Sequence, residues 1–138
     1  MTTLVTVDAS VFVNSLSPDE DGSDQRAEFI SQLKSDGAAF IQPTLFLLEV
    51  VASIARKQDN TEIALEILTE LIRIPKLTLV DLDDDFAGYA GEVAAKYRLR
   101  GSDAVYAAVA LRFGTELITL DKEQLDRLPR VVAVRTPK

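Results

Sequence analysis

The chain has 138 residues, the length of one ordinary domain, and we expect a single domain over residues 1–138. Hydrophobic residues make up 47% and charged residues 27%, as in globular proteins, and 15 basic against 22 acidic residues give a formal net charge of −7. His, Cys and Trp are absent from the sequence, which excludes His-based catalytic triads, thiol nucleophiles, Cys/His zinc sites and disulfides. Any reactive group is therefore a carboxylate, Lys, Tyr, Ser or Thr, and the acidic balance argues against a large basic face for nucleic acid.

The first half of the chain predicts two strands and three helices, because short β-branched runs alternate with longer helical patterns. In chain order these are a strand at Leu4–Val7, helices at Ser10–Leu16 and Asp24–Ser35, a strand at Ala38–Ile41, and a helix from Pro43 to about Lys57. Pro43 is predicted in the first turn of its helix, where its missing N–H has no cost.

The second half continues the same alternation, which predicts a parallel α/β sheet. Asp59 and Glu62 have the spacing of a capping box for the next helix. The predicted elements are a helix at Asn60–Arg73, a strand at Leu77–Val80, a helix from Asp83 or Asp84 to about Tyr97, a helix at Asp103–Phe113, a strand at Leu117–Leu120, a helical turn at Lys122–Leu128 and a strand at Val131–Val134.

Neither a targeting signal nor a membrane span is predicted. The amino terminus has no cationic segment, and the longest apolar run, Leu45 to Ala55, is interrupted by Glu49. It is shorter than the ~20 residues of a membrane-spanning helix. We therefore expect a cytoplasmic protein that makes no membrane contact.

Two aspartates, Asp8 and Asp121, each come directly after a predicted strand. The carboxyl ends of parallel strands face the ligand crevice of an open α/β sheet, so neighbouring strands would bring both aspartates to one place. An aspartate after a strand also caps the following helix, and this interpretation stays open for each of them.

Two further acids stand in apolar surroundings. Glu49 is the only charged residue between Gln42 and Arg56, and helical periodicity puts it on one polar stripe with them, facing either water or a crevice. Asp103 opens a helix of Ala, Val, Tyr and Leu, where the helix dipole alone could account for it.

Four carboxylates in one crevice would repel one another unless a cation lay among them. Mg²⁺ or Mn²⁺ suits such a site, because these ions prefer oxygen ligands and the chain has no nitrogen or sulfur ligands of the usual kind. A metal held by carboxylates keeps water molecules and can activate one for attack on a phosphodiester.

The segments around these acids resemble the four motifs of PIN-domain ribonucleases, in particular the small toxins of VapBC-type toxin–antitoxin pairs. The segments are, in order, Val7-Asp8-Ala9-Ser10-Val11-Phe12-Val13, Leu48-Glu49-Val50, Gly101-Ser102-Asp103-Ala104-Val105-Tyr106-Ala107-Ala108 and Leu117-Ile118-Thr119-Leu120-Asp121. Many relatives have His where this chain has Tyr106, a departure that leaves the four acids intact.

The resemblance implies a three-layer, doubly wound α/β/α fold with a mostly parallel sheet, and Mg²⁺- or Mn²⁺-dependent endoribonuclease activity. It also implies a cognate antitoxin protein and a homodimer, for which the apolar helical faces around Leu45–Ile54 and Ile63–Ile74 are candidate surfaces. The acidic site carried over by the motifs is Asp8, Glu49, Asp103 and Asp121.

Within that site we expect Asp8 and Asp121 to bind metal directly, and Glu49 and Asp103 to hold a second ion or to act through water. The hydroxyls of Ser10 and Thr119 would orient the carboxylates. Three basic residues just before the third motif are candidates for contacts with the RNA backbone: Lys96, Arg98 and Arg100.

Parts of the sequence also suggest other functions. Asp81, Asp83, Asp85 and Glu92 copy the acid spacing of a calcium loop, but Phe86 stands where that loop needs Gly, so an acidic helix start is the better interpretation. A catalytically silent PIN-like interaction module remains an alternative. A receiver-type phosphoacceptor domain is a weaker alternative. Such a domain normally has a second acid paired with the one after its first strand and an aspartate at the end of its third strand, and neither feature is convincing here.

Overall fold

The computed structural model describes residues 2–129 and 132–138. Within these ranges the chain forms β1 (Leu4–Val7), α1 (Ala9–Ser15), α2 (Ser23–Ser35), β2 (Ala39–Pro43), α3 (Leu45–Gln58), α4 (Thr61–Ile72), β3 (Leu77–Val80), α5 (Asp84–Tyr97), α6 (Gly101–Phe113), β4 (Glu116–Ile118), α7 (Lys122–Arg127) and β5 (Val134–Arg135).

The five strands form one sheet in the order β3-β2-β1-β4-β5, and every pairing between them is parallel. β1 lies at the centre, with Val5 opposite Phe40 of β2 on one side and Glu116 of β4 on the other. Val5 and Val7 are completely buried, as expected of a strand covered on both faces. The predicted parallel α/β sheet is confirmed.

Helices cover both faces of this sheet. Helix α1 packs on α2 and on α3, and α3 packs on α4, whereas α5 packs on α6, which in turn contacts β1, β2 and β4. Right-handed crossovers account for the division, because the chain moves one way along the sheet from β1 to β3 and then crosses back to β4. The expected three-layer, doubly wound arrangement is confirmed.

The start of α3 differs from the prediction. Pro43 is the last residue of β2, paired with Val80 of β3, and α3 begins at Leu45. A strand end tolerates the missing N–H of proline as well as a first helical turn does. Gln42 consequently lies in the sheet and does not share a helical stripe with Glu49.

Several other ends of helices and strands also differ from the prediction. Asp59 ends α3 in the left-handed conformation (φ 48°), and Asn60 caps α4 by accepting a 3.1 Å hydrogen bond from Ile63 N, so the predicted capping box at Asp59 does not form. Strand β4 ends at Ile118, before the predicted Leu120.

The predicted acidic start of a helix at Asp83 or Asp84 is confirmed. Asp83 caps α5 by accepting a 2.8 Å hydrogen bond from Phe86 N. Helix α6 begins at Gly101, two residues before the predicted start. For the last predicted strand, Val131 lies outside the described residues, and β5 occupies Val134–Arg135.

Among the described helices, none combines the length and the apolar character needed to cross a membrane.

Candidate active site

The acidic cleft lies at the carboxyl edge of the sheet, where the strand order reverses between β1 and β4. Ligands of open α/β sheets bind at such a switch point, because the loops after the two strands diverge to opposite faces. The cleft has a volume of about 430 Å³, and its walls include Asp8, Glu49 and Asp103. A larger cavity, about 740 Å³, lies between α2 and the C-terminal residues, but none of the four predicted acids lines it.

Asp8 follows β1 directly and is both a helix cap and a cleft residue. Its Oδ2 accepts a 3.2 Å hydrogen bond from Ser10 N at the start of α1, and its own N–H donates to Ile118 O of β4 at 2.8 Å. Only 6% of the residue is exposed. Burial raises the pKa of the Asp8 carboxyl, against the lowering effect of the Ser10 hydrogen bonds, and the charge of Asp121 raises it further.

A buried glutamine fixes the strand end that carries Asp8. The Gln42 side chain accepts a 2.6 Å hydrogen bond from Val7 N and donates a 2.8 Å bond to Val7 O. It thereby satisfies both backbone groups of the residue before Asp8. The sequence did not indicate this role, because Gln42 falls between the predicted strand Ala38–Ile41 and the helix predicted from Pro43 and was counted on the polar stripe of Glu49; a glutamine next to buried strand residues was the available signal.

Glu49 reaches the cleft from α3 and is half-buried. Its Oε1 accepts a 2.7 Å hydrogen bond from the hydroxyl of Tyr106 on α6, and Tyr106 is only 1% exposed. Burial raises the pKa of Glu49, as do the charges of Asp8 and Asp103, while the Tyr106 hydrogen bond lowers it. Burial and the Glu49 charge also raise the pKa of Tyr106, so the phenol stays protonated and remains a donor.

Asp103 lies in the first turn of α6 and is 7% exposed. Its Oδ2 accepts from Arg100 Nε at 3.2 Å, and its Oδ1 accepts from Gln124 Nε2 at 3.3 Å. Burial raises the pKa of Asp103, and so do the charges of Asp121 and Asp8, whereas Arg100 lowers it.

Asp121 stands beside the cleft and is joined to it through Arg100. Its Oδ2 accepts from Arg100 Nη2 at 2.7 Å, and its Oδ1 caps α7 by accepting from Gln124 N at 3.1 Å. The predicted convergence thus brings three acids into the cleft walls and holds the fourth next to Asp103 through a shared arginine.

The two predicted hydroxyls support the same region. Ser10 Oγ accepts a hydrogen bond from Leu120 N at 3.3 Å, which ties α1 to the segment after β4. Thr119 Oγ1 accepts from Asp121 N at 2.9 Å and is fully buried. Thr119 therefore contacts the backbone of Asp121, and Ser10 positions Asp8 through its N–H.

The three predicted basic residues are placed differently from one another. Arg100 binds two of the acids. Lys96 lies over the ring of Tyr97, and Arg98 donates to the carbonyl of Ala95 at the end of α5; neither is among the residues that line the cleft. RNA contacts by Lys96 and Arg98 stay a prediction.

Lys57, a basic residue that the sequence did not single out, also lines the cleft. Its Nζ donates to the carboxylate of Glu20, which also accepts from Asn14 Nδ2 at 3.2 Å. The Lys57 ammonium lowers the pKa of Glu20. Nothing in the local sequence links Glu20 in its acidic loop to the end of α3, and only the packing of α1 against α2 and α3 joins them.

The chemistry of these side chains suits a hard divalent cation. Asp8, Glu49 and Asp103 offer oxygen donors only, and each has a pKa raised in part by the charges of its neighbours, a repulsion that a cation would relieve. Across residues 2–129 and 132–138, however, no group of three or more acidic side chains is arranged to hold a metal ion. The donor set fits Mg²⁺ or Mn²⁺, and the cation that contacts Asp103, together with Asp121, is Arg100.

Comparisons with known proteins point to one family. The family model of the PIN domain matches residues 5–131, which include all four acidic motifs. No curated protein matches the chain in sequence.

Solved structures with the same fold include several toxin–antitoxin proteins. A chain of VapBC2 from Rickettsia felis, solved with a DNA fragment from its promoter, has a TM-score of 0.70 at 13% identity and covers 99% of this chain and 100% of its own. VapC20 from Mycobacterium tuberculosis, a sarcin-ricin loop cleaving toxin, gives a TM-score of 0.70 at 15% identity, with 86% and 90% covered. A chain of DNA-bound VapBC from Salmonella typhimurium gives 0.68 at 15% identity, with both chains covered completely.

Proposed function

This chain belongs to the PIN domain family, and from that premise we propose that it is a Mg²⁺- or Mn²⁺-dependent endoribonuclease, the toxin of a toxin–antitoxin pair. The observation that carries the proposal is the meeting of Asp8, Glu49 and Asp103, from three different elements, in one cleft at the switch point of the sheet. Acids brought together from the end of β1, from α3 and from α6 are best explained by a common ligand.

The chain's own residues divide the work of the site. Asp8 and Asp103 are the most buried of the carboxylates lining the cleft, and with Asp121 and Glu49 they would hold the cation. A divalent cation bound there would supply Lewis-acid chemistry, which activates water and stabilises charge on the phosphate. The phenol of Tyr106 holds Glu49 in one orientation, and Ser10 and Thr119 fix the segments on which Asp8 and Asp121 lie.

RNA binding would rest on few charges, because the chain carries a net charge of −7. Lys57 is the cationic residue among those that line the cleft, so it is the first candidate for a phosphate contact there. Lys96 lies in the last turn of α5, and Arg98 and Arg100 lie between α5 and α6, where they are further candidates for contacts with the RNA backbone.

The proposed partners are a cognate antitoxin and a second copy of this chain. The similar structures from Rickettsia felis and Salmonella typhimurium are VapBC complexes, which supports an antitoxin partner here. Helices α3 and α4 expose apolar side chains suited to a homodimer: Leu48 at 65%, Leu65 at 54% and Ile72 at 54%.

The test compares cleavage of RNA by the wild type and by Asp8→Asn in Mg²⁺, in Mn²⁺ and in EDTA. Asn keeps the helix cap but removes the charge, so we expect cleavage by the variant to fall at least ~100-fold, as for loss of a principal electrostatic group. EDTA should abolish cleavage by the wild type.

The control is Asp81→Asn, which removes the same charge from another aspartate that directly follows a strand, two strands away from β1. It should cleave like the wild type. Equal cleavage by the wild type and by Asp8→Asn, or cleavage that persists in EDTA, would contradict the proposal of a metal-dependent nuclease. If the wild type instead binds an antitoxin but cleaves no RNA in any metal, the protein is the silent interaction module.

A further inference from the structure

Arg100 bridges two acids of the proposed metal site. It is the N-cap residue of α6, with an extended backbone (φ −66°, ψ 155°). Its Nε lies 3.2 Å from Asp103 Oδ2, and its Nη2 lies 2.7 Å from Asp121 Oδ2. One guanidinium therefore joins the first turn of α6 to the cap of α7.

The contact takes one particular oxygen of each carboxylate. Each of the other oxygens already accepts one hydrogen bond: Asp103 Oδ1 from the side chain of Gln124, and Asp121 Oδ1 from the backbone N–H of Gln124. Arg100 therefore occupies the oxygen of each carboxylate that Gln124 leaves free, and an ion held jointly by Asp103 and Asp121 would compete with it there.

Electrostatics make the guanidinium and a divalent ion alternatives. The charges of Asp103, Asp121 and Glu123 all act on Arg100, so the arginine is the local counter-charge of this acidic group. A cation bound between the same two Oδ2 atoms would stand within a few ångströms of the guanidinium and repel it strongly. Both cannot keep these contacts at once.

The arginine can leave without disturbing the core. Its side chain is 69% exposed, whereas those of Asp103 and Asp121 are 11% and 17% exposed. Rotation about its side-chain bonds carries the guanidinium into water while its backbone remains as the helix cap. The carboxylates that it leaves are mostly buried, so a divalent ion that replaces it would supply the counter-charge that they need.

We propose that Arg100 is an internal counter-cation that competes with the divalent metal for Asp103 and Asp121 and must release both carboxylates before the ion binds. This inference rests on the proposed metal-dependent function and deepens it. It also orders two events, because Arg100 becomes available for a phosphate of RNA only after the metal has displaced it.

The test measures Mn²⁺ affinity without RNA, from the electron paramagnetic resonance signal of free Mn²⁺ and from calorimetry. Arg100→Gln removes the competing charge, so it should bind Mn²⁺ about 5- to 20-fold more tightly than the wild type, a usual size for coupling between two binding events. Arg100→Lys keeps the positive charge but loses the planar guanidinium that donates to both carboxylates, so its Mn²⁺ affinity should lie between those of the wild type and Arg100→Gln. Arg98→Gln, an exposed arginine that touches neither acid, should match the wild type.

A second measurement follows the arginine itself. In wild-type protein, titration with Mg²⁺ should move the ¹⁵N resonance of Arg100 Nε toward its position in Asp103→Asn, while the Arg98 Nε resonance stays still. Weaker or unchanged Mn²⁺ binding by Arg100→Gln, no binding by any variant, or an Arg100 resonance unaffected by saturating Mg²⁺ would each overturn the inference. Tighter Mn²⁺ binding by Arg100→Gln in a protein that cleaves no RNA would support the competition and reject the proposed nuclease.

Discussion

The two sides of the cleft hold their carboxylates by different means. On one side, Asp8 and Glu49 accept hydrogen bonds from a backbone N–H and a phenol, and within the described chain neither forms an ion pair. On the other side, Asp103 and Asp121 share the guanidinium of Arg100. The first side offsets the cost of burying its charges with neutral hydrogen-bond donors, and the second with a counter-charge that can move.

Two fully buried glutamines show the same contrast. Gln42 uses both ends of its amide on the backbone of Val7, inside the sheet. Gln124 donates to Asp103, but its Oε1 has no hydrogen-bond partner among the described residues. The side that carries Asp8 is therefore built into the sheet, whereas the side that carries Asp103 and Asp121 rests on side chains at helix starts and is the one suited to rearrangement.

The largest expected effect concerns these glutamines. Gln42→Leu leaves the buried N–H and C=O of Val7 without partners, and each such group costs about 1–3 kcal/mol, so we expect a loss of about 2–5 kcal/mol in the free energy of unfolding. Gln124→Leu removes a single donor and an unpartnered oxygen, so its loss should be smaller by at least about 1 kcal/mol. Urea denaturation of both variants measures the difference, and equal losses would contradict the contrast.

A smaller effect, of opposite sign, is expected from Asp8→Asn. Asn caps α1 as well as Asp does, and it removes a charge that burial disfavours, so stability at pH 7 should rise by about 0.5–2 kcal/mol, the usual range for one stabilising substitution. Asp103→Asn should gain less, because it also removes the partner of Arg100. Thermal and urea denaturation measure both stabilities, and a greater stability of Asp103→Asn than of Asp8→Asn would contradict this interpretation.

The difference in stability between Asp8→Asn and the wild type should depend on pH. The native pKa of Asp8 lies above its ordinary value of 3.8, so the folded state binds this proton more tightly than the unfolded state. The associated stability is fully present below the unfolded pKa and is lost as pH rises through the native pKa. The advantage of Asp8→Asn over wild type should therefore be greatest at neutral pH and shrink on acidification; an advantage that does not vary with pH would show that the Asp8 charge is not its cause.

The smallest effect is expected from Tyr106→Phe, which deletes one hydroxyl. The Tyr106 hydrogen bond lowers the pKa of Glu49, so its loss should raise that pKa, as measured from the carboxyl ¹³C shift of Glu49 during a pH titration. Tyr89→Phe, at a half-buried tyrosine of α5 that does not line the cleft, is the control and should leave Glu49 unchanged. A Glu49 titration that is identical in both variants would mean that the phenol does not hold this carboxylate.

The sequence predicted much of the fold because its local signals agree with one another. Leu4–Val7 and Leu77–Val80 were placed correctly, since each is a compact β-branched run between clear breaks. The errors fell where a residue serves either of two elements: Pro43 suits a strand end as well as a first helical turn, and local propensity cannot choose between them.

The acids of the candidate site were also predicted from the sequence, because Asp8, Glu49 and Asp103 stand against otherwise apolar patterns. Their partners were not. Tyr106 lies 57 residues from Glu49, and Lys57 lies 37 residues from Glu20, so no spacing rule connects them. The first contact depends on how α3 and α6 meet at the carboxyl edge of the sheet, and the second on the packing of α1 against α2 and α3.

The sequence by itself determined the class of chemistry, because without His or Cys the candidate site has only oxygen ligands to offer. It also predicted the parallel sheet that carries the site, because short β-branched runs alternate with helical patterns along the chain. The tertiary structure decided how the charges are balanced. It placed Arg100, which the sequence offered as a contact for RNA, on Asp103 and Asp121. The reason is physical, since a charge finds its partner through distance and dielectric surroundings, and both are set by packing between segments remote in the chain.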